Sequence, residues 1–251
     1  MFYNALNQLF MNTQETLNML EKLKLNGMYK SYQGILAMPV QEQPSGHHFM
    51  ARMAEAELLE RNRKRTEMNL KNSKMRYNAV LEQIECSASR NLHREHLEAL
   101  ADCSYIYRGE NILITGATGC GKSYLACALG RNACAFGYKV TYLGMMRFLE
   151  MISQSRIDGT LVKQINKLEK TDLLILDDFG LQALNPNVRV ALLQILEDRY
   201  ACKSTIITSQ LPVANWHQYI NESTIADAIM DRLSAHAHRF ELKGDSLRKN
   251  R

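Results

Sequence analysis

The residues best suited to chemistry lie between positions 116 and 123. Gly116-Ala117-Thr118-Gly119-Cys120-Gly121-Lys122-Ser123 fits the pattern G-x-x-x-x-G-K-[ST]. Glycines let the backbone turn so that successive N–H groups point at phosphate oxygens. The helical stretch Tyr124–Phe136 that follows presents its positive end to the same anion. In this reading Lys122 reaches the β- and γ-phosphates of a nucleotide, and the Ser123 hydroxyl ligates Mg²⁺. Further on, Leu173-Leu174-Ile175-Leu176-Asp177-Asp178 reads as a buried strand ending in two carboxylates. Asp177 is expected to hold Mg²⁺ through its waters. Asp178 is expected to orient or deprotonate the attacking water, which would make the site hydrolytic.

Three further residues are candidates by position. Gln210 leaves the apolar run ending Ile206-Ile207-Thr208-Ser209. Its amide both donates and accepts, so it can bridge a γ-phosphate and a water. Arg232 follows the helical stretch Ile225–Met230, and Arg248 lies in Gly244-Asp245-Ser246-Leu247-Arg248. Either arginine can neutralise charge on a transferring phosphoryl group. Read singly, each fits a surface arginine better than a catalytic one.

These residues need a frame that brings strand ends together. Short apolar runs recur at Asn111–Thr115, Lys139–Leu143, Leu173–Leu176, Ser204–Thr208 and Arg239–Leu242, most of them separated by helical stretches. That alternation predicts an α/β fold, with a five-stranded parallel sheet between helices. The runs are nearly all apolar, as strands buried on both faces require. Upstream the pattern is helical. Leu17, Leu20, Leu23, Met28, Tyr32 and Ile35 suit an amphipathic helix broken or bent near Gly27, and Phe49, Met50, Met53, Ala54 and Leu58 begin a second stripe. Pro39 and Pro44 bracket a turn-rich joint between them, and Ser45 is placed to cap the second helix. Residues 1–75 are therefore expected to form a small all-helical module for DNA or a partner, and residues 76–251 the nucleotide-binding domain.

Composition bounds the rest. Of 251 residues, 46% are apolar and 23% charged, with a net charge of +5, so collagen-like, low-complexity and wholly disordered classes are excluded. No apolar run approaches a membrane span, and no basic segment followed by an apolar one opens the chain, so a cytoplasmic protein is expected. The cysteines Cys86, Cys103, Cys120, Cys127, Cys134 and Cys202 form no Cys-x-x-Cys pair and read as small hydrophobes. Cys120 is the exception to test: a helix N-terminus and Lys122 beside it both favour a reactive thiolate. Arg61, Arg63, Lys64, Arg65, Lys71, Lys74 and Arg76 cluster with Glu67 as the one acid among them. Such a cluster suits a duplex backbone without reading its sequence, and equally suits a solvated helix face.

Taken in order, the phosphate loop, Leu-Leu-Ile-Leu-Asp-Asp-Phe-Gly, Thr-Ser-Gln-Leu-Pro-Val, Asp-Arg-Leu and Gly-Asp-Ser-Leu-Arg-Lys resemble the IstB-type AAA+ ATPases. These are helper proteins encoded beside the transposase of bacterial insertion sequences, and are similar to the helicase loader DnaC and to DnaA. The resemblance spans about residues 90–251, with a weaker likeness at Leu23-Lys24-Leu25-Asn26-Gly27-Met28. It implies an AAA+ P-loop core, ATP and Mg²⁺, ATP-dependent homo-oligomers on duplex DNA, and a cognate transposase as partner. It also implies Walker A at Gly116–Ser123, Walker B at Asp177 and Asp178, sensor 1 at Gln210, an arginine finger at Arg232 and sensor 2 at Arg248. Two departures stand out. Cys120 replaces the usual Thr in a Gly-Ala-Thr-Gly loop rather than Gly-Pro-Pro-Gly, and little chain follows Arg248, so a C-terminal lid is expected to be vestigial. The alternatives are a helicase loader, a small-molecule kinase and a DNA-bending protein cemented by ATP.

Overall fold

The structure, a computed structural model, describes residues 13–247. They divide into two compact units between Glu67 and Met68. In the first, residues 13–22 are helical (α1), followed by α2 (Asn26–Leu36), a 3-10 turn at Val40–Glu42 and the start of α3 (Gly46–Ser73), which runs on into the second unit. The break between α1 and α2 falls near Gly27, at Lys24, with φ of 59°, and Leu25. Gly27 serves a different end: a Cβ there would lie 2.2 Å from the Ala56 carbonyl oxygen, so its absence lets α2 and α3 cross closely. The N–H groups of Gly27 and Met28, orphans at the start of α2, donate to Glu57 Oε2 at 2.8 and 3.2 Å. Of the second stripe, Met53 is buried, while Met50 and Leu58 remain exposed.

The second unit opens with an irregular segment carrying 3-10 turns at Leu81–Gln83 and Ala88–Arg90, then α4 (Arg94–Ala101) and α5 (Ser104–Tyr107). The strands β1 (Asn111–Gly116), β2 (Val140–Gly144), β3 (Leu173–Phe179), β4 (Ser204–Ser209) and β5 (Ala237–Leu242) follow the five apolar runs closely. They form one parallel sheet in the order β2-β3-β4-β1-β5. The period of two along each strand explains its two dry faces. Ile112, Ile114, Ile175 and Ile206 face one core with Leu125, Ala126 and Leu129 of α6 (Lys122–Ala135). Leu113, Leu174, Leu176 and Ile207 face the other, against α7 (Met145–Ile157), α9 (Pro186–Arg199) and α11 (Ser223–Ser234). Two further helices, α8 (Leu161–Glu169) and α10 (Trp216–Ile220), complete the unit. Edge strand β5 alternates instead, with Phe240 and Leu242 buried and Arg239 and Glu241 exposed. No helix among the described residues is long and apolar enough to cross a membrane.

This order places β3, β4 and β1 side by side, so their C-terminal ends share one edge of the sheet. Ligands bind in the crevice at that edge in open α/β sheets.

Candidate nucleotide site

The loop from β1 to α6 has the conformation its glycines allow. Gly116, Gly119 and Gly121 have φ of 146°, 86° and 98°, values that L side chains rarely adopt. Space adds a second constraint: a Cβ on Gly119 would collide with Ser246, and one on Gly121 would come within 3.0 Å of the Arg90 guanidinium. Lys122 is buried, and its Nζ donates to the Ala117 carbonyl at 2.8 Å. Thr118 Oγ1 donates to Gln210 Oε1 at 2.8 Å, which ties the loop to the end of β4. Thr118, Gly119, Gly121, Lys122, Ser123, Asp178 and Gln210 border a cavity of about 570 Å³, which continues past Tyr77, Gln83, Ile84 and Tyr124. Cys120 faces the other way. It is 1% exposed and packs in the apolar core, so its burial corrects the expectation of a reactive thiol. Cys103, Cys127 and Cys134 are buried too, and burial pushes their thiols up to about 11, 11 and 12.

The two acids of β3 diverge. Asp177 is wholly buried, accepting from the Tyr142 hydroxyl and from Thr208 Oγ1, the latter at 2.5 Å. Burial, reinforced by its own bond to Asp177, pushes the Tyr142 phenol well above its ordinary range. Beyond Leu176 the pairing of β3 with β4 shifts, and Asp178 takes a left-handed φ of 64°. Its N–H donates to Thr208 Oγ1 at 3.0 Å, and its side chain borders the cavity. Asp tolerates this conformation better than most residues.

A nucleotide with Mg²⁺ fits these groups. The loop leaves no room for a side chain at Gly119, its backbone at Gly121 is one that L residues rarely adopt, and a buried lysine stands at the start of α6. No group of three or more His, Cys, Asp or Glu among the described residues could hold a metal alone. Mg²⁺ bound with phosphates keeps several waters and needs only one or two protein ligands. Ser123 borders the cavity and would supply one; Asp177, wholly buried and bonded to Tyr142 and Thr208, would act through the ion's waters.

The arginines separate. Arg232, on α11, pairs with Glu197 of α9 and donates to the Ala228 carbonyl at 2.8 Å, and it does not border the cavity of its own chain. Arg248 lies outside the described residues. Arg90, which no motif marked, does border the cavity and donates to the Cys120 carbonyl at 3.0 Å. Leu247 N–H donates to the Gly119 carbonyl at 3.1 Å, so the segment before Arg248 lies on the phosphate loop.

The seven cations of 61–76 fall on both sides of the division between units. In the first, Arg61 pairs with Glu57, Arg63 with Glu60 and Glu67, and Lys64 with Glu60. Arg65 has no ion pair among the described residues. In the second, Arg76 borders the nucleotide cavity, 3.8 Å from Asp178. Lys71 borders a small hollow near Arg131, and Lys74 borders both that hollow and a groove with Lys139, Lys163, Lys167 and Lys170. Among the described residues no Asp or Glu lines that groove. The sequence held a signal for it: Lys163, Lys167 and Lys170 recur at helical spacing opposite buried Ile165 and Leu168.

The five-stranded parallel sheet, the glycine-rich loop and the acidic strand end define an AAA+ P-loop nucleotide-binding fold. Solved structures agree. DnaA bound to AMPPCP and single-stranded DNA superposes with a TM-score of 0.59 at 22% identity, over 68% of this chain and 52% of that one. The DnaC helicase loader gives 0.55 at 19%, over 68% and 99%. These likenesses concern the fold alone. Residues 18–251 match the family described as IstB-like ATP binding protein, and the chain belongs to that family. An insertion sequence ATP-binding protein of Sinorhizobium fredii is 42% identical over 236 residues, 94% of this chain and 95% of that one. The ATP-binding protein of insertion sequence IS1162 from Pseudomonas fluorescens is 39% identical, over 80% and 88%.

Proposed function

We propose that this ATP-binding protein is an ATPase that assembles on duplex DNA and recruits or stimulates the transposase of its insertion sequence, with hydrolysis regulating the assembly. The observation that carries hydrolysis is the shared cavity of Lys122, Ser123, Asp178 and Gln210. In the reaction, a water oxygen bonds to the γ-phosphorus as the bond to the β–γ bridging oxygen breaks, giving ADP and phosphate. Asp178 orients that water and takes its proton, and Gln210 holds the water or the γ-phosphate. Lys122 and the loop N–H groups bind the phosphates. Ser123, with Asp177 acting through bound waters, would hold Mg²⁺, which would supply positive charge to offset that of the phosphates. Arg232 does not border its own cavity, which supports a role at the ATP of an adjacent subunit. Arg248 is assigned to the phosphates as a sensor.

For DNA, the groove of Lys74, Lys139, Lys163, Lys167 and Lys170 is the stronger surface, because the charges of Arg61, Arg63 and Lys64 are largely countered by their own helix. Contact there would follow the backbone and ignore sequence. The test is phosphate release from Mg-ATP with no acceptor present, with and without duplex DNA, across a range of protein concentrations. Turnover that rises with DNA and with protein concentration is expected. Phosphoryl transfer that requires a small-molecule acceptor would overturn the reading in favour of a kinase.

A further inference from the structure

Three charged side chains that border the nucleotide cavity, Arg76, Glu85 and Arg90, have no part in the reaction above, and of these Arg76 is the one that approaches Asp178. Arg76 borders the cavity together with Lys122, Ser123 and Gln210. Its Nη1 lies 3.8 Å from Asp178 Oδ2, and its guanidinium carbon sits 5.3 Å from the centroid of the Tyr77 ring. The cation thus lies within ion-pair distance of a carboxylate and beside an aromatic ring, with the Tyr142 hydroxyl and Asp177 acting on it as well.

The placement matters because Asp178 creates a difficulty. A carboxylate aimed into a phosphate cavity repels the γ-phosphate, and does so strongly at short range outside bulk water. ADP, lacking that group, escapes most of the repulsion. Left uncompensated, Asp178 would make the cavity prefer product to substrate. A guanidinium stays charged at any working pH and is long enough to serve the acid and the phosphate together.

We propose that Arg76 is a positioning residue that holds the Asp178 carboxylate and offsets its repulsion of the γ-phosphate, so that the cavity admits a triphosphate. The assignment rests on the nucleotide reading of the cavity and goes beyond it by naming what sets the preference between ATP and ADP. It also removes Arg76 from the DNA-binding set.

The test compares equilibrium binding of Mg-ADP and of a Mg-bound ATP analogue that is not hydrolysed, using the full chain. Arg76→Gln should weaken the analogue about tenfold, equivalent to about 1.4 kcal/mol, and ADP by less than about twofold. Arg76→Lys should retain most of the analogue affinity, and adding Asp178→Asn to Arg76→Gln should restore it, because the repelling charge is gone. A loss that persists in the double variant would make Arg76 a direct phosphate ligand and overturn the proposal. Unchanged nucleotide affinities with a shallower salt dependence of DNA binding would return Arg76 to the DNA surface and overturn it too. Should Arg76→Gln fail to fold, Asp178→Asn alone decides: the analogue should gain about threefold over ADP, and an unchanged or lowered ratio contradicts the assignment. Parental protein that binds neither nucleotide would instead refute the nucleotide reading itself.

Discussion

The cations around the phosphate loop and those on α3 have similar chemistry and different surroundings. Lys122 is buried at the start of a helix, and Arg76 and Arg90 border the same cavity. On α3, Arg61, Arg63 and Lys64 are exposed and paired with Glu57, Glu60 and Glu67, three or four residues away on the same helix. Charges that converge on a cavity create a binding site. Charges answered within one exposed helix add a few tenths of a kcal/mol to that helix and leave little net field for a partner. Counting cations along a sequence does not distinguish the two situations; their neighbours do.

The contrast is broken or upheld most sharply at Lys122. Lys122→Ala should weaken ATP binding at least about thirtyfold, since a charge-assisted bond to phosphate contributes roughly 1.5–3 kcal/mol and this lysine can make more than one. The folded state should persist, and calorimetric titration with Mg-ATP checks both points. A smaller effect is expected on DNA. Replacing Lys163, Lys167 and Lys170 together by Gln should lower the slope of log K against log salt by about 2–3, because each phosphate that a cation neutralises accounts for about 0.9 of it. Arg63→Gln with Lys64→Gln should change it by less than about 1. The reverse ranking would mean that α3 sheds its carboxylate partners on binding DNA.

The smallest effect sharpens the comparison from within the first unit. Glu57 is the one acid of α3 that is buried. Burial works against its charge, but bonds from Arg61 and from the Met28 and Gly27 N–H groups outweigh it and hold the carboxyl below its ordinary pKa. A depressed carboxyl contributes stability above its unfolded pKa of about 4.3 and loses it as pH falls through the folded value. Acid should therefore loosen the packing of α2 on α3 below about pH 4.3, and Glu57→Gln should flatten that dependence. Helix content followed by circular dichroism from pH 6 to pH 2 would show it.

Much of this was legible in the sequence. The five apolar runs fall within a few residues of the five strands, because strands buried on both faces must be apolar throughout. The loop motif was legible because its glycines answer a local backbone demand. What depended on tertiary neighbours was not. The left-handed turn at Asp178 arises where β3 and β4 lose register, which no local pattern announces. Arg90 and Arg76 carry no motif and reach the cavity only through the course of the irregular segment before α4. Arg199 is 1% exposed, donating to the carbonyls of Leu168 and Thr171, partners that lie far from it in the chain. Glu57 and Glu60 precede the basic cluster and neutralise much of it by helical spacing, so that signal was present in the chain but lay outside the window in which the cations were counted.

In the reaction proposed above, hydrolysis needs two subunits, one offering Asp178 and its neighbour Arg232. Asp178→Asn and Arg232→Ala should each bind ATP and each hydrolyse it poorly, for different reasons. Mixed, they can form interfaces in which an intact Asp178 faces an intact Arg232. ATPase activity should then return above that of either variant and rise with protein concentration. A mixture as inactive as its parts, with co-assembly shown independently by light scattering, would contradict the account and leave Arg232 to its ion pair with Glu197.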